Sequence, residues 1–287
     1  MRLGIVGMLP GDFRTFQKEQ MQAIRELGFT GFGFHLNGED VFAITPAECA
    51  AGRRFFADEG LELAQFAITY NECLFHPDRA VRERVSAKIV RGTEIGAQLG
   101  AQAFLLRPGS LNPDGPWTPH RDNHRPECAK LLVETLRPLA SKAKAEGVIL
   151  AMETHALSIL DLPVKCRGII EAVGSPNLRL ILDAVNHFQS MHQVYHSSEW
   201  VNHIFDELGL LAPLAHIKDL KVSNGLVLHI DQTVPGEGEL DSALVLQRFN
   251  ALHPDGYGLI EHLRVEHIPQ AVANVRRTAA EAGVAIY

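Results

Sequence analysis

Eight short runs rich in apolar and β-branched residues alternate along this chain with eight stretches of helical periodicity, and no other feature narrows the fold so far. The spacing predicts strands near Leu3–Met8, Gly31–Leu36, Leu61–Thr69, Ala103–Arg107, Val148–Glu153, Leu178–Asp183, Leu214–Lys218 and Gly258–Glu261. It predicts helices near residues 15–27, 46–60, 78–99, 126–146, 163–173, 198–209, 241–251 and 268–282. Thr45-Pro46 opens the second of these, while Gly60, Gly100, Gly147, Gly174 and Gly209 are expected to close others. Runs such as ILAM (149–152) and LRLIL (178–182) are almost continuously apolar, as parallel strands buried on both faces are.

Eight β-then-α units of this kind predict an α/β fold, a (β/α)8 TIM barrel, with residues 1–287 forming one domain. A chain of 287 residues that is 46% hydrophobic can bury a core of that size. The rival is an open, doubly wound sheet. That fold wants a Gly-rich phosphate turn after its first strand, and Gly7-Met8-Leu9-Pro10-Gly11 lacks the spacing.

Composition narrows the partners. With 21% charged residues and a net charge of −7, the long-range field does not attract phosphate backbones or anionic membranes. A small neutral molecule is the expected partner, with neither nucleic acid nor membrane involved; a homo-oligomer is compatible with the sequence. The opening MRLGIVGML is too short and Gly-rich for a secretory core, and no run approaches the roughly 20 apolar residues of a membrane span. Cys49, Cys73, Cys128 and Cys166 lie far apart, which suits reduced thiols in a cytoplasmic protein.

Four potential metal ligands close strand-like runs: Glu153 in ILAMETH, Asp183 in LRLILDAVNH, His216 in APLAHIKDL and Glu261 in YGLIEHL. A single acid after a strand is commonly a helix cap or half of an ion pair. In a barrel, however, C-terminal strand ends converge on one mouth. Three carboxylates gathered there repel one another unless a cation intervenes. Their oxygen-rich donor set suits one divalent ion, Mn2+ first, with Mg2+ or Co2+ as alternatives.

Other side chains should surround that centre. Lys218 shares the strand parity of His216, so it is expected at the mouth, either contacting substrate or pairing with an acidic ligand. His155 stands in the same relation to Glu153, and Arg107 ends the fourth run. The segments 109–124 and 186–198 follow strands and are long enough to act as lids; Trp117 in the first is a candidate wall against a sugar face. The turn from Gly236 to Asp241 resembles a phosphate cradle, but Glu237 and Glu239 inside it oppose an anion, so an unphosphorylated substrate is expected. Asp241 reads as a helix N-cap.

The motifs Met-Glu-Thr-His (152–155), Leu-Asp-Ala-Val-Asn (182–186), Ala-His-Ile-Lys-Asp (215–219), Pro-Gly-Glu-Gly-Glu-Leu-Asp (235–241) and Ile-Glu-His (260–262) resemble the xylose-isomerase-like barrel superfamily. More narrowly, they resemble its sugar isomerase and epimerase branch, with ketose 3-epimerase, hydroxypyruvate isomerase and inosose dehydratase relatives. The resemblance implies one divalent metal held by Glu153, Asp183, His216 and Glu261. It casts Glu153 and Glu261 as the proton-transfer pair of a reaction in which chelation of a carbonyl and its neighbouring hydroxyl stabilises an enediolate.

The chain departs from the ketose 3-epimerases at three places. Asn186, followed by His187, stands where they have a His; Ile159 replaces an acid and Val222 an Arg. Asn186 and His187 are nevertheless candidate substrate contacts. Lys218, in the His-x-Lys-Asp form of the dehydratase-like relatives, gives a catalytic alternative: a lyase that dehydrates an inosose or eliminates from a keto-glycoside. A barrel that binds sugar without turnover is a third reading. A remote fourth, an endonuclease IV-like repair nuclease, requires histidines where this chain has Arg107-Pro108-Gly109-Ser110 and Thr69-Tyr70-Asn71.

Overall fold

The computed structural model describes residues 1–287. Its strands are β1 (Arg2–Val6), β2 (Gly31–Asn37), β3 (Glu62–Thr69), β4 (Ala103–Leu106), β5 (Ile149–Glu153), β6 (Leu178–Asp183), β7 (Leu214–Ile217), β8 (Asp219–Val222), β9 (Ile230–Thr233) and β10 (Tyr257–Ile260). The α-helices are α1 (Lys18–Glu26), α2 (Pro46–Asp58), α3 (Arg79–Leu99), α4 (Pro126–Glu146), α5 (Pro163–Val173), α6 (Met191–Tyr195), α7 (Ser197–Leu208), α8 (Ser242–Leu252) and α9 (Ile268–Glu281). Eight parallel strands close in the order β1-β10-β7-β6-β5-β4-β3-β2, which is the expected (β/α)8 barrel.

Strand parity sorts the side chains into two cores. Leu3, Ile5, Phe32, Phe34, Phe66, Ile68, Phe104, Leu106, Leu150, Met152, Leu180 and Leu182 face outward into the layer shared with the helices. The alternate positions, including Val6, Ala67, Ala103, Leu105, Ala151, Ile181, Leu214 and Leu259, fill the barrel itself. Both faces of each strand are therefore apolar, which is why the runs do not alternate with polar residues. Carried upward, the inward parity changes character: Ala151 is followed by Glu153, Ile181 by Asp183, Leu214 by His216 and Leu259 by Glu261.

The helix signals hold with one exception. Thr45 caps α2, accepting from the Glu48 backbone N–H while the Glu48 side chain accepts from the Thr45 N–H. Gly60, Gly100, Gly147 and Gly174 take left-handed φ values of 67°, 78°, 72° and 71°. Gly209 does not: its φ is −54°, and the chain turns directly from α7 into a short 3-10 turn. A Cβ there would approach Leu252 Cδ1 to 2.5 Å, so close packing rather than backbone hand accounts for this glycine.

Three elements depart from the expected pattern. The seventh barrel strand stops at Ile217, one residue short of Lys218. Beyond it, β8 and β9 form a two-stranded antiparallel hairpin, an addition to the β-then-α repeat. The segment after β6 contains α6, a five-residue helix capped by Ser190, before α7 begins. No helix is long and apolar enough to cross a membrane.

Candidate metal centre

Glu153, Asp183, His216 and Glu261 meet at the C-terminal mouth of the barrel. One ligand atom from each lies within 4.8 Å of all the others, and all four side chains are buried. The register explains the meeting: Asp183 and His216 are paired across β6 and β7, Glu153 ends β5, and Glu261 follows β10. His216 Nδ1 is 3.0 Å from Glu261 Oε1 and 3.5 Å from both Glu153 Oε1 and Asp183 Oδ2.

Asp183 Oδ2, Glu261 Oε1 and His216 Nδ1 are in ion-pair contact with their neighbours, yet none makes a directed hydrogen bond. Buried polar atoms are normally hydrogen-bonded, so carboxylate oxygens and an imidazole nitrogen held together by charge alone fit a cation-binding centre. The donor set agrees, since three carboxylates and one imidazole suit a divalent ion.

Lys218 reaches the same cluster, with Nζ 2.6 Å from Asp183 Oδ2 and 2.6 Å from Glu261 Oε1. Burial alone would raise the Asp183 carboxyl, but Lys218 and His216 outweigh it and hold the group at about 2. Burial likewise opposes ionisation of Glu261, and His216 and Lys218 pull it well below the usual carboxylate range. Burial lowers His216, while Glu261, Asp183 and Glu153 raise it well above an ordinary histidine. Of the two roles weighed for Lys218, the ion pair with acidic ligands is the one present.

The surrounding candidates take different positions. Arg107 lies just beyond β4, its guanidinium 5.0 Å from the Tyr70 ring and 5.9 Å from the Trp117 ring, and it donates to the Tyr70 carbonyl at 3.2 Å. Trp117 in turn lies 5.1 Å from the His155 ring, so segment 109–124 folds an aromatic wall against the strand ends. Burial lowers the His155 pKa, favouring its neutral form. Asn186 and His187 look inward: Asn186 Nδ2 donates to the Thr154 carbonyl, and His187 Nε2 lies 2.8 Å from Thr154 Oγ1. His187 is fully buried, and desolvation lowers its pKa to about 4. These two residues brace the chain after Glu153.

Two residues absent from the sequence-based set also enter the centre. Gln65 Oε1 on β3 lies 2.9 Å from His216 Nε2 and accepts its N–H, while Nδ1 faces the carboxylates. His35 on β2 has a buried Nε2 without a partner, and burial lowers its pKa while Glu261 and Glu153 act in the opposite sense. Both were visible as single polar residues within the apolar runs GFGFHL and LAQFAI; His35 has inward parity with Gly33, whereas the inward face of Gln65 depends on a strand irregularity that the run does not reveal.

The phosphate-like turn is already filled. Asp219 accepts backbone N–H bonds from Gly236, Gly238 and Leu240 at 2.9, 3.0 and 3.2 Å, besides one from Leu220. A Cβ at position 238 would collide with Asp219 Oδ1 and the Leu220 carbonyl, so only glycine permits this approach. Asp241 caps α8 through the Leu244 N–H, as expected.

The family model described as xylose isomerase-like TIM barrel matches residues 21–282. This chain belongs to that family. Among solved structures, the family member resembles a Mycobacterium smegmatis xylose isomerase-like TIM barrel protein in complex with magnesium, at 16% identity and TM-score 0.71, with 98% of this chain and 96% of that one covered. It also resembles D-psicose 3-epimerase with D-tagatose from Clostridium cellulolyticum H10 (13% identity, TM-score 0.73, coverage 99% and 100%). A third is the E. coli 3-keto-D-glucoside 4-epimerase in its apo form (18% identity, TM-score 0.68, coverage 99% of both chains). At such identities the likeness establishes the barrel alone. No curated protein matches the sequence.

Proposed function

We propose that this xylose isomerase-like barrel is a divalent-metal-dependent sugar isomerase or epimerase acting on an unphosphorylated keto- or aldo-sugar. The observation that carries the reading is the convergence of Glu153, Asp183, His216 and Glu261 within 4.8 Å at the barrel mouth. Similarity to barrels named as sugar epimerases supports it. A divalent ion held by these four residues, Mn2+ by preference and Mg2+ or Co2+ as alternatives, supplies Lewis-acid polarisation of a carbonyl and its neighbouring hydroxyl when bound.

The chain's own groups account for the remaining steps. Glu153 and Glu261 enter the centre from separate strands, so one carboxylate takes the proton next to the carbonyl and the electron pair of that C–H bond moves into the substrate enediolate. Return of a proton to the opposite face of the same carbon epimerises the sugar; return to the neighbouring carbon isomerises it. Three carboxylates and the Lys218 ammonium leave a formal charge of about −2 that a divalent ion neutralises, which favours a neutral substrate. Arg107, Trp117 and His155 form the wall where hydroxyls and a sugar face are held. The Asp219 carboxylate inside the 236–240 turn takes the N–H groups that a phosphate would need.

One observation favours a second reading, dehydration or β-elimination. The Lys218 ammonium is buried among the ligands, and in this reading it protonates a departing hydroxyl or glycosidic oxygen, against the pull of Asp183 and Glu261, which outweigh burial and raise its pKa. Free ketoses, inososes and keto-glycosides incubated with Mn2+ in D2O separate the two. An isomerase or epimerase conserves mass apart from solvent deuterium; a lyase product loses water or the glycosidic group. A protein that binds these sugars with Mn2+ but incorporates no deuterium and yields no product sinks both.

A further inference from the structure

We infer that Gln65, aimed inward by a β-bulge, is the positioning residue that sets the ring orientation and tautomer of His216 in the metal centre. The inference rests on the metal-centre reading above and adds the device that presents the histidine.

The contact is long-range and closed to water. Gln65 Oε1 and His216 Nε2 are 2.9 Å apart across the barrel, 151 residues apart in sequence, and both side chains are buried. An imidazole has two nitrogens, and the one that binds a cation must offer a lone pair. A carbonyl oxygen beside Nε2 keeps a proton there, so an arriving divalent ion would displace the ring proton at Nδ1, the nitrogen facing Glu153, Asp183 and Glu261. The reverse placement of the amide would put an N–H donor at Nε2, require a lone pair there and move the ring proton to Nδ1, the side the cation needs. Gln65 Nε2 is buried without a partner, so the amide orientation is dictated by its oxygen.

The backbone is irregular where this contact requires it. Phe32 on β2 pairs with Leu63, but the next residue, Gly33, pairs with Gln65, so Ala64 is an extra residue in β3. Leu63 packs in the outer layer, whereas Ala64 belongs to the barrel interior and Gln65 reaches His216 there. A regular strand would turn Leu63 and Gln65 to the same face, forcing either leucine into the barrel or the amide out of it. Bulges re-aim side chains in this way beside functional sites. Gly33 provides the room: a Cβ there would approach the Gln65 carbonyl to 3.0 Å and Val6 Cγ2 to 2.8 Å.

The test compares Gln65→Leu, which removes the acceptor at similar volume, with Gln65→Glu, which keeps an acceptor oxygen. Mn2+ affinity is measured by calorimetry, and the His216 ring nitrogens by 15N NMR of histidine-labelled, Mg2+-loaded protein. Gln65→Leu should weaken Mn2+ binding about 10–100-fold, the usual effect of losing such a partner. It should also replace the single Nε2–H signature with mixed tautomers, and Gln65→Glu should restore the single signature. A wild-type Kd together with an unchanged ring signature in Gln65→Leu overturns the inference. Should that variant fail to fold, the wild-type spectrum still decides, because a loaded His216 with its proton on Nδ1 rules the inference out. Wild-type protein that takes up no divalent ion sinks the metal-centre reading itself, and this inference with it.

Discussion

The Lys218 ammonium and the Glu261 carboxylate stand 2.6 Å apart, with side chains only 3% and 2% exposed. Asp183 shares the same ammonium. Removing one member of a buried pair leaves the other charge without compensation, at a cost of about 3–5 kcal/mol. Lys218→Met should therefore lose about that much stability in urea denaturation with chelator present. A variant as stable as the parent shows that the pair carries no weight.

Glu153→Gln and Glu261→Gln should each reduce kcat by about 10²–10⁴-fold, because an amide cannot take a proton. Mn2+ binding should weaken but persist, since the amide oxygen still coordinates. Deuterium incorporation from D2O and calorimetric Mn2+ titration check the two halves separately. Parental turnover in either variant removes that glutamate from the role of base.

His187 gives stability a pH dependence of known sign. Its folded pKa, lowered to about 4 by burial, lies below the ordinary value of 6.5, so the unfolded chain binds more protons between those limits. The contribution is full above pH 6.5 and is lost as pH falls through about 4, amounting to about 3 kcal/mol. Urea midpoints between pH 7 and pH 4 should fall less steeply in His187→Gln than in the parent. Identical slopes would mean that another group sets the dependence.

Asp219→Ala should strip the acceptor from four backbone N–H groups at once and cost at least about 3 kcal/mol, measured as a lower urea midpoint. Because the parent turn is filled, inorganic phosphate should not raise the parent Tm. Phosphorylated sugars should likewise show no advantage over free sugars in kcat/KM. A strong preference for the phosphorylated form contradicts the assignment.

Much of the fold was legible because its signals are local. Apolar runs of strand length, helical periodicity and the Thr45-Pro46 start are properties of a few neighbouring residues, and the barrel strands and principal helices appear close to where they predict. The four ligand candidates were legible too, each being a polar residue closing an apolar run. The hairpin of β8 and β9 was harder to find, because LKV and IDQT carry no apolar run of barrel-strand length. Gly209 misled for a related reason: a glycine after a helix signals a left-handed cap, but here packing against Leu252 required it.

The sequence by itself determined the alternation of strands and helices, and with it a barrel whose inward parity turns from apolar to ligating at the strand ends. Tertiary structure alone decided which groups meet: Lys218 with Asp183 and Glu261, Gln65 with His216, and Asp219 with the N–H groups of a turn some twenty residues on. The physical reason is that periodicity states which face a side chain takes, whereas pairing register, a bulge at Ala64 and the destinations of buried backbone donors depend on strands and loops distant in sequence.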